Sequence, residues 1–181
     1  MRDMSLHILD LTENSIRAGA SVVSVTVAED PEKDVLEIVV EDNGTGLSVP
    51  PEKATDPFYT TKAGKRTGLG LSLFRAAAEQ AGGGLKLGRS PLGGASVHAT
   101  MVLSHVDRVP LGDLAATFSS VVCTNPRLDL RCRFRVADRE CVVRVSDVAR
   151  EFPVGEGRGL SVARQVHERI KAGLAALEVK A

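Results

Sequence analysis

Near the N-terminus apolar residues recur at helical spacing: Leu6, Leu9 and Ile16 share one face, which predicts a helix over 5–19. Ser5 is its candidate N-cap, and Gly19 and Ala20 end it. The pattern then changes to period two. Residues 21–27 alternate Val with Ser or Thr, and 35–41 alternate less cleanly, so two strands are expected with a turn at 29–34 around Pro31. Residues 42–46 read as a loop, and 48–67, rich in Pro, Thr, Lys and Gly, show no period. An aperiodic stretch of roughly twenty residues in a compact domain is usually a lid, a binding loop or disorder.

Gly68 to Leu71 opens a second helix running to 81, stopped by Gly82, Gly83 and Gly84. A strand pair at 85–89 and 95–103 follows, joined by Pro91-Leu92-Gly93-Gly94. Pro110 marks a boundary. Beyond it come a helix at 111–123, broken at Asn125-Pro126, a hairpin at 128–136 and 140–145, and a helix at 157–177 with Val, Ile and Leu on one side and Arg and Lys on the other. The expected class is therefore α/β (α+β), a two-layer sandwich. Residues 1–105 form the main domain, and 106–181 a small α-β-β-α extension, too small for its own core, that packs on the first part.

Composition narrows the function. The chain has 181 residues, 43% apolar and 25% charged, with no apolar run long enough to span a bilayer. Lys plus Arg and Asp plus Glu balance at 23 each, and aromatics are 3% with no Trp, so neither nucleic acid nor a membrane surface is the expected partner. Arg158, Arg164, Arg169 and Lys171 offer a basic helix face for an acidic protein, or simply a solvated face. Cys123, Cys132 and Cys141 form no CxxC and read as reduced thiols; with no leader pattern after Met1, a cytoplasmic location is expected.

Four segments carry candidate chemistry. Asp10 and Asn14 lie four apart, on one face of the first helix. A carboxylate and an amide oxygen so placed suit a hard cation and an oxygen nucleophile; Mg2+ needs only one or two protein oxygens beside substrate phosphates. A solvated helix face is the plain alternative. Asp42, at a strand end before Gly44 and Gly46, can accept a hydrogen bond from an exocyclic amine while the glycines admit a flat base; the alternative is an ordinary Asn-Gly turn. Lys62 precedes Gly68, Leu69, Gly70 and Leu71, where a helix start offers free N–H groups to an anion. No GxxxxGK[ST] occurs, and the Gly-Leu-Gly follows no strand. Gly93-Gly94-Ala95-Ser96 enters the last strand of the main domain, and Ser96 could reach a base through water or be a solvated hairpin residue.

In this order the segments resemble the gyrase B, heat-shock chaperone, histidine kinase and MutL (GHKL) ATPase superfamily, with its Bergerat ATP-binding fold, over about residues 5–104. The whole chain looks similar to small stand-alone bacterial ATP-binding proteins. The resemblance implies that Asn14 binds Mg2+, Asp10 holds the general-base position and Asp42 binds the adenine amino group. Gly44 and Gly46 would flank the base, Gly68, Gly70 and Leu71 would offer N–H groups to phosphate, and Lys62 would touch the γ-phosphate. Ser96 stands where Thr is more usual. Hydrolysing members usually have Glu at the Asp10 position, and many histidine kinases have an uncharged residue. A carboxylate takes a proton from water or a Ser hydroxyl and an amide does not, so a slow ATPase or a Ser/Thr-type protein kinase in regulation is expected. The alternative is a non-hydrolysing, ATP-switched module resembling an anti-sigma factor. A protein partner or substrate is expected, and a homodimer is left open. The resemblance to histidine kinases is not expected to extend to their phosphoacceptor His hairpin, and His7 lies within the first helix.

Overall fold

The computed structural model describes residues 3–47, 69–155 and 157–179. The first helix, α1 (Met4–Arg17), buries Ile8, Leu11, Thr12 and Ser15 along one face. Its cap is Asp3 rather than Ser5. The Asp3 carboxylate accepts from the Leu6 N–H at 3.2 Å and from the Ser5 hydroxyl at 2.7 Å, while Ser5 sits buried inside the first turn. The free N–H groups of Met4 and Ser5 donate to the carbonyls of Pro110 and Leu111, each at 2.8 Å. The chain beyond the expected boundary thus completes the helix start.

Strands β1 (Val22–Asp30) and β2 (Val35–Asp42) run longer than their alternation suggested. Glu29 and Asp30, read locally as turn residues, stay in the ladder because Leu36 and Val35 pair with them across the hairpin. Pairing overrides local polarity there. After them come α2 (Leu69–Gln80), β3 (Gly84–Arg89), β4 (Ala95–Val102), α3 (Leu114–Thr124), β5 (Asp129–Val136) and β6 (Arg139–Arg144). A short helix that the sequence pattern did not reveal, α4 (Val145–Arg150), starts where β6 stops, and α5 (Arg158–Leu177) ends the described chain. The tail is therefore α-β-β-α-α. The Asp129 carboxylate accepts from the Ser146 N–H at 3.0 Å, which anchors the start of α4 to β5.

The six strands form one sheet in the order β3-β4-β2-β1-β5-β6. All neighbours are antiparallel except β1 and β5, which pair in parallel from Val22↔Asp129 to Glu29↔Val136. The tail therefore extends the sheet of the first hundred residues instead of forming a body of its own. Alternation puts Leu36, Ile38, Val40 and Asp42 of β2 on the helix side, with Val97, Ala99 and Met101 of β4 beside them. One core results. Phe74, Phe118, Phe134, Met4 and Ile8 are at most 1% exposed, drawn from both parts of the chain, and each such side chain contributes about 1.5–3 kcal/mol on burial. This is the expected two-layer sandwich.

Candidate functional site

The site is built on α1, which reaches two other parts of the fold. Toward its C-terminal end, the Ser15 hydroxyl donates to Asp42 Oδ2 at 2.6 Å. Toward its middle, Asp10 Oδ2 lies so close to Gly70, in the first turn of α2, that a Cβ on Gly70 would approach it to 2.9 Å. Five residues of helix separate these two contacts, about 7.5 Å along the axis.

Asp42 is 4% exposed and closes β2. Its Oδ1 accepts from the Gly44 N–H at 2.9 Å and the Ala95 N–H at 3.1 Å. With Ser15 on Oδ2, three donors are placed on a carboxylate that has about four acceptor positions. One position on Oδ2 is left for an outside donor such as an exocyclic amine. Gly94 makes the arrangement possible: a Cβ there would come 2.0 Å from Asp42 Oδ1 and 2.6 Å from the Gly44 nitrogen. The Gly94 N–H also donates to the Asp42 carbonyl at 3.0 Å. Asn43 faces away from this centre. Its Oδ1 accepts from the N–H groups of Ser21 and Val22, both at 2.9 Å, and pins the loop to the turn after α1. Beside Gly94 a cleft of about 480 Å3 is lined by Thr45, Gly46, Leu47, Gly88, Arg89 and Gly93, a size that holds a small organic ligand.

Asn14 is half-buried, and its Oδ1 accepts from the Arg17 guanidinium, which also lies 3.4 Å from Glu13 Oε2. A cation bound at Asn14 has to take that oxygen from Arg17. Gly70 and Leu71 stand in the first turn of α2, where N–H groups lack intrahelical acceptors; the backbone of Leu69 begins that helix. Lys62 and Gly68 lie outside the described residues.

Ser96 needs correction. It pairs with Glu41 in β2, and Val97 with Val40, so the pleat turns Ser96 to the sheet face opposite Asp42. Ala95 is the residue that meets Asp42, through its backbone N–H. A water bridge from Ser96 to a base held at Asp42 would have to cross the sheet.

Ser15 was not singled out from sequence, although a signal was present. It continues the buried series Ile8, Leu11, Thr12, and a hydroxyl in a core position must find a partner. Arg89, a cation on the cleft wall, was likewise missed. His7, one turn before Asp10, is 2% exposed and stacks on Phe74 with ring centroids 5.1 Å apart. Burial pulls its pKa down from 6.5 to about 4, against the opposing charges of Asp10 and Asp3. It packs α1 on α2 as a neutral ring. The three cysteines are all free, and burial pushes the Cys132 thiol up, leaving no thiolate there. On α5, Arg158 donates to the Ala149 carbonyl at 2.6 Å and Arg169 to Glu151 at 2.5 Å, so two of the four expected basic-face residues tie the helix to α4 and the residue after it.

Residues 2–105 match the family model of histidine kinase-, DNA gyrase B-, and HSP90-like ATPases. The chain is 35% identical to the sensor histidine kinase CpxA of Escherichia coli (strain K12) over 91 residues, 47% of this chain and 20% of CpxA. It is 49% identical to the sensor kinase CckA of Brucella abortus (strain 2308) over 55 residues, 29% of this chain and 6% of CckA. The chain thus matches only a minor part of these relatives' length. Among solved structures, the ATP binding domain of PrrB from Mycobacterium tuberculosis is 26% identical, covering 54% of this chain and 64% of that one with a TM-score of 0.42. The Aquifex aeolicus MutL ATPase domain complexed with ADP is 14% identical, covering 91% of this chain and 70% of that one with a TM-score of 0.49.

Proposed function

Because this chain belongs to the histidine kinase-, DNA gyrase B- and HSP90-like (GHKL) ATPase family, an ATP-binding family, we propose that it is a Mg-dependent enzyme that transfers the γ-phosphoryl group of ATP, slowly, to water or to a Ser or Thr hydroxyl of a protein. The observation that carries this reading is the position of Asp10. Its carboxylate lies against Gly70 in the first turn of α2, beside the N–H groups that suit an anion.

Adenine fits at Asp42 through the one acceptor position left there, with the cleft next to Gly94 taking the rest of the nucleoside. Each glycine contact supports this fit, since a Cβ on Gly94 or Gly70 would fill space at one end of the site or the other. Among the described residues no group of three or more His, Cys, Asp or Glu gathers that could cage a metal. That suits Mg2+ held by Asn14 Oδ1, with substrate oxygens and water as the other ligands. The metal would supply charge neutralisation on the phosphates. Asp10 accepts the proton of the attacking water or hydroxyl as the new O–P bond forms and ADP leaves. Asp is one methylene shorter than Glu, which lengthens the reach to that proton and favours slow turnover.

Asp10→Asn keeps the shape and removes the base. Phosphate release or protein labelling from γ-labelled ATP is expected to fall at least about 100-fold, the usual contribution of a positioned base. Calorimetric ADP affinity should stay within a few-fold. Turnover equal to wild type would end the base assignment. A second reading, an ATP-switched binding module, rests on Arg17: metal binding must free Asn14 from that guanidinium, so occupancy can be coupled to a side-chain rearrangement on α1. Capture of a protein only in the presence of ATP, with no phosphate released, would favour it.

A further inference from the structure

The described helices pack together on one face of the sheet: α1 against α2 and α3, and α5 against α3 and α4. Among the described residues the strand positions pointing the other way are partly or fully exposed, apart from Ala28. Three cross-strand rows run over this open face. Glu41 on β2, Ser24 on β1 and Arg131 on β5 are register partners in the first; Val39, Thr26 and Arg133 form the second; Glu37, Ala28 and Arg135 form the third. Acid on β2 and arginine on β5 thus flank β1, with short side chains between them, while Asp129 at the start of β5 and Glu140, the β6 partner of Arg135, add two acids to the arginine side. Arg131 has a neighbour, Asp129, at 2.9 Å, and Glu37 has His98 at 2.7 Å. Arg133, Arg135 and Arg144 make no ion pair among the described residues.

We propose that this face is the interface of a homodimer, in which two copies stack sheet on sheet about a twofold axis parallel to β1. That axis carries β5 of one copy over β2 of the other and keeps each row at its own height. Arg131 then meets Glu41 of the second copy, Arg135 meets Glu37, and Arg133 lies over Val39. The outer strands follow: Val142, 41% exposed, is covered by His98 of the second copy, and Arg144 faces Ser96. Ser24, Thr26 and Ala28 sit on the axis, and their small size allows the roughly 10 Å separation of packed sheets. An axis across the strands would instead put β5 on β5 and arginine on arginine. The charge pattern therefore selects one isologous arrangement. A nucleic acid or an acidic peptide would suit the arginine side alone and be repelled by Glu37 and Glu41; a second copy matches both. Strands of six to nine residues make a face of roughly 600 Å2 in plan, the scale of the roughly 800 Å2 per partner of a standard interface.

Sedimentation velocity of the full chain over a wide concentration range tests this. Wild type should double its mass from 19.2 kDa, with a dimer that weakens as salt rises. The variants Arg131→Glu/Arg135→Glu and Glu37→Arg/Glu41→Arg should each be monomeric alone and form a heterodimer when mixed, because reversal on one copy complements reversal on the other. A single cooperative melting transition, lower than that of wild type only by the lost stabilisation of the dimer, would show that each still folds. If either fails to fold, Glu37→Gln/Glu41→Gln replaces it, with dimer affinity expected to fall at least tenfold. Wild type that stays monomeric, a dimer that survives in either reversed variant, no heterodimer on mixing of folded variants, unchanged affinity in the neutral variant, or a wild-type monomer that binds polyglutamate or single-stranded DNA on this face would each overturn the proposal.

Discussion

Residues 3–105 and 106–179 differ sharply in what their sequences announce, and much less in what they contribute to the fold. The first region holds Asp10, Asn14, Asp42, Gly44, Gly70 and Gly94, and the family match covers it. The second carries no motif. Yet its β5 lies beside β1 at the centre of the sheet, its Pro110 and Leu111 carbonyls close the start of α1, and Phe118 and Phe134 are as buried as Phe74. A stretch without a motif of its own can still decide where the helix that carries the candidate site begins. Motifs report contacts with a ligand, whereas packing needs only apolar side chains at the right period, which many sequences supply.

The comparison breaks if the second region is a detachable appendage, and the largest effect tests that. Phe134→Ala removes a ring that is 1% exposed and 6.3 Å from the Phe118 ring. It should cost about 3–5 kcal/mol. The loss should appear as one lowered transition of the whole chain, by roughly 10 °C. Two transitions, with nucleotide protecting only the upper, would separate the regions. Next in size is acid. The His7 pKa is lowered to about 4, so the unfolded chain binds a proton that the folded chain refuses. Stability is therefore full above pH 6.5 and falls as pH drops toward 4, by at most about 3 kcal/mol. His7→Leu should flatten that part of a melting-temperature profile; an identical profile would remove His7 as its source.

Smaller effects sharpen the contrast within α1. Ser15→Ala leaves the buried Asp42 oxygen short of a donor and should cost about 1–3 kcal/mol, with weakened ATP binding measured by calorimetry. Asp3→Ala removes only a cap. It should cost about 1 kcal/mol in denaturant titrations and leave ATP affinity unchanged, since the Pro110 and Leu111 carbonyls still hold the helix start.

Much of this was legible along the chain. Helical spacing in α1 and α5 and the turns around Gly93 and Asn125 placed most elements within a few residues, because each of those signals is local. The same holds for Asp10 with Asn14, a pair set by one helical turn, and for Asp42 at a strand end. The misses share a cause. Nothing near Asp3 or Ser5 shows which one caps, since Pro110 and Leu111 settle it from the far side of the chain. Glu29 and Asp30 look like turn residues until β2 and β5 are placed beside them. Ser96 was misplaced because a one-residue shift along a strand turns a side chain to the other face, and register comes from pairing.

The sequence by itself determined most of the elements and the family, and it named candidate residues for a nucleotide site, because those depend on residue type and short spacing. Tertiary structure alone decided that Ser15 and the Ala95 N–H join Asp42, that Asp10 meets Gly70, and that one sheet face carries acid and arginine in matched rows. Those outcomes follow from how distant segments pair, and pairing is set by the summed burial and hydrogen bonding of the whole sheet rather than by any stretch of it.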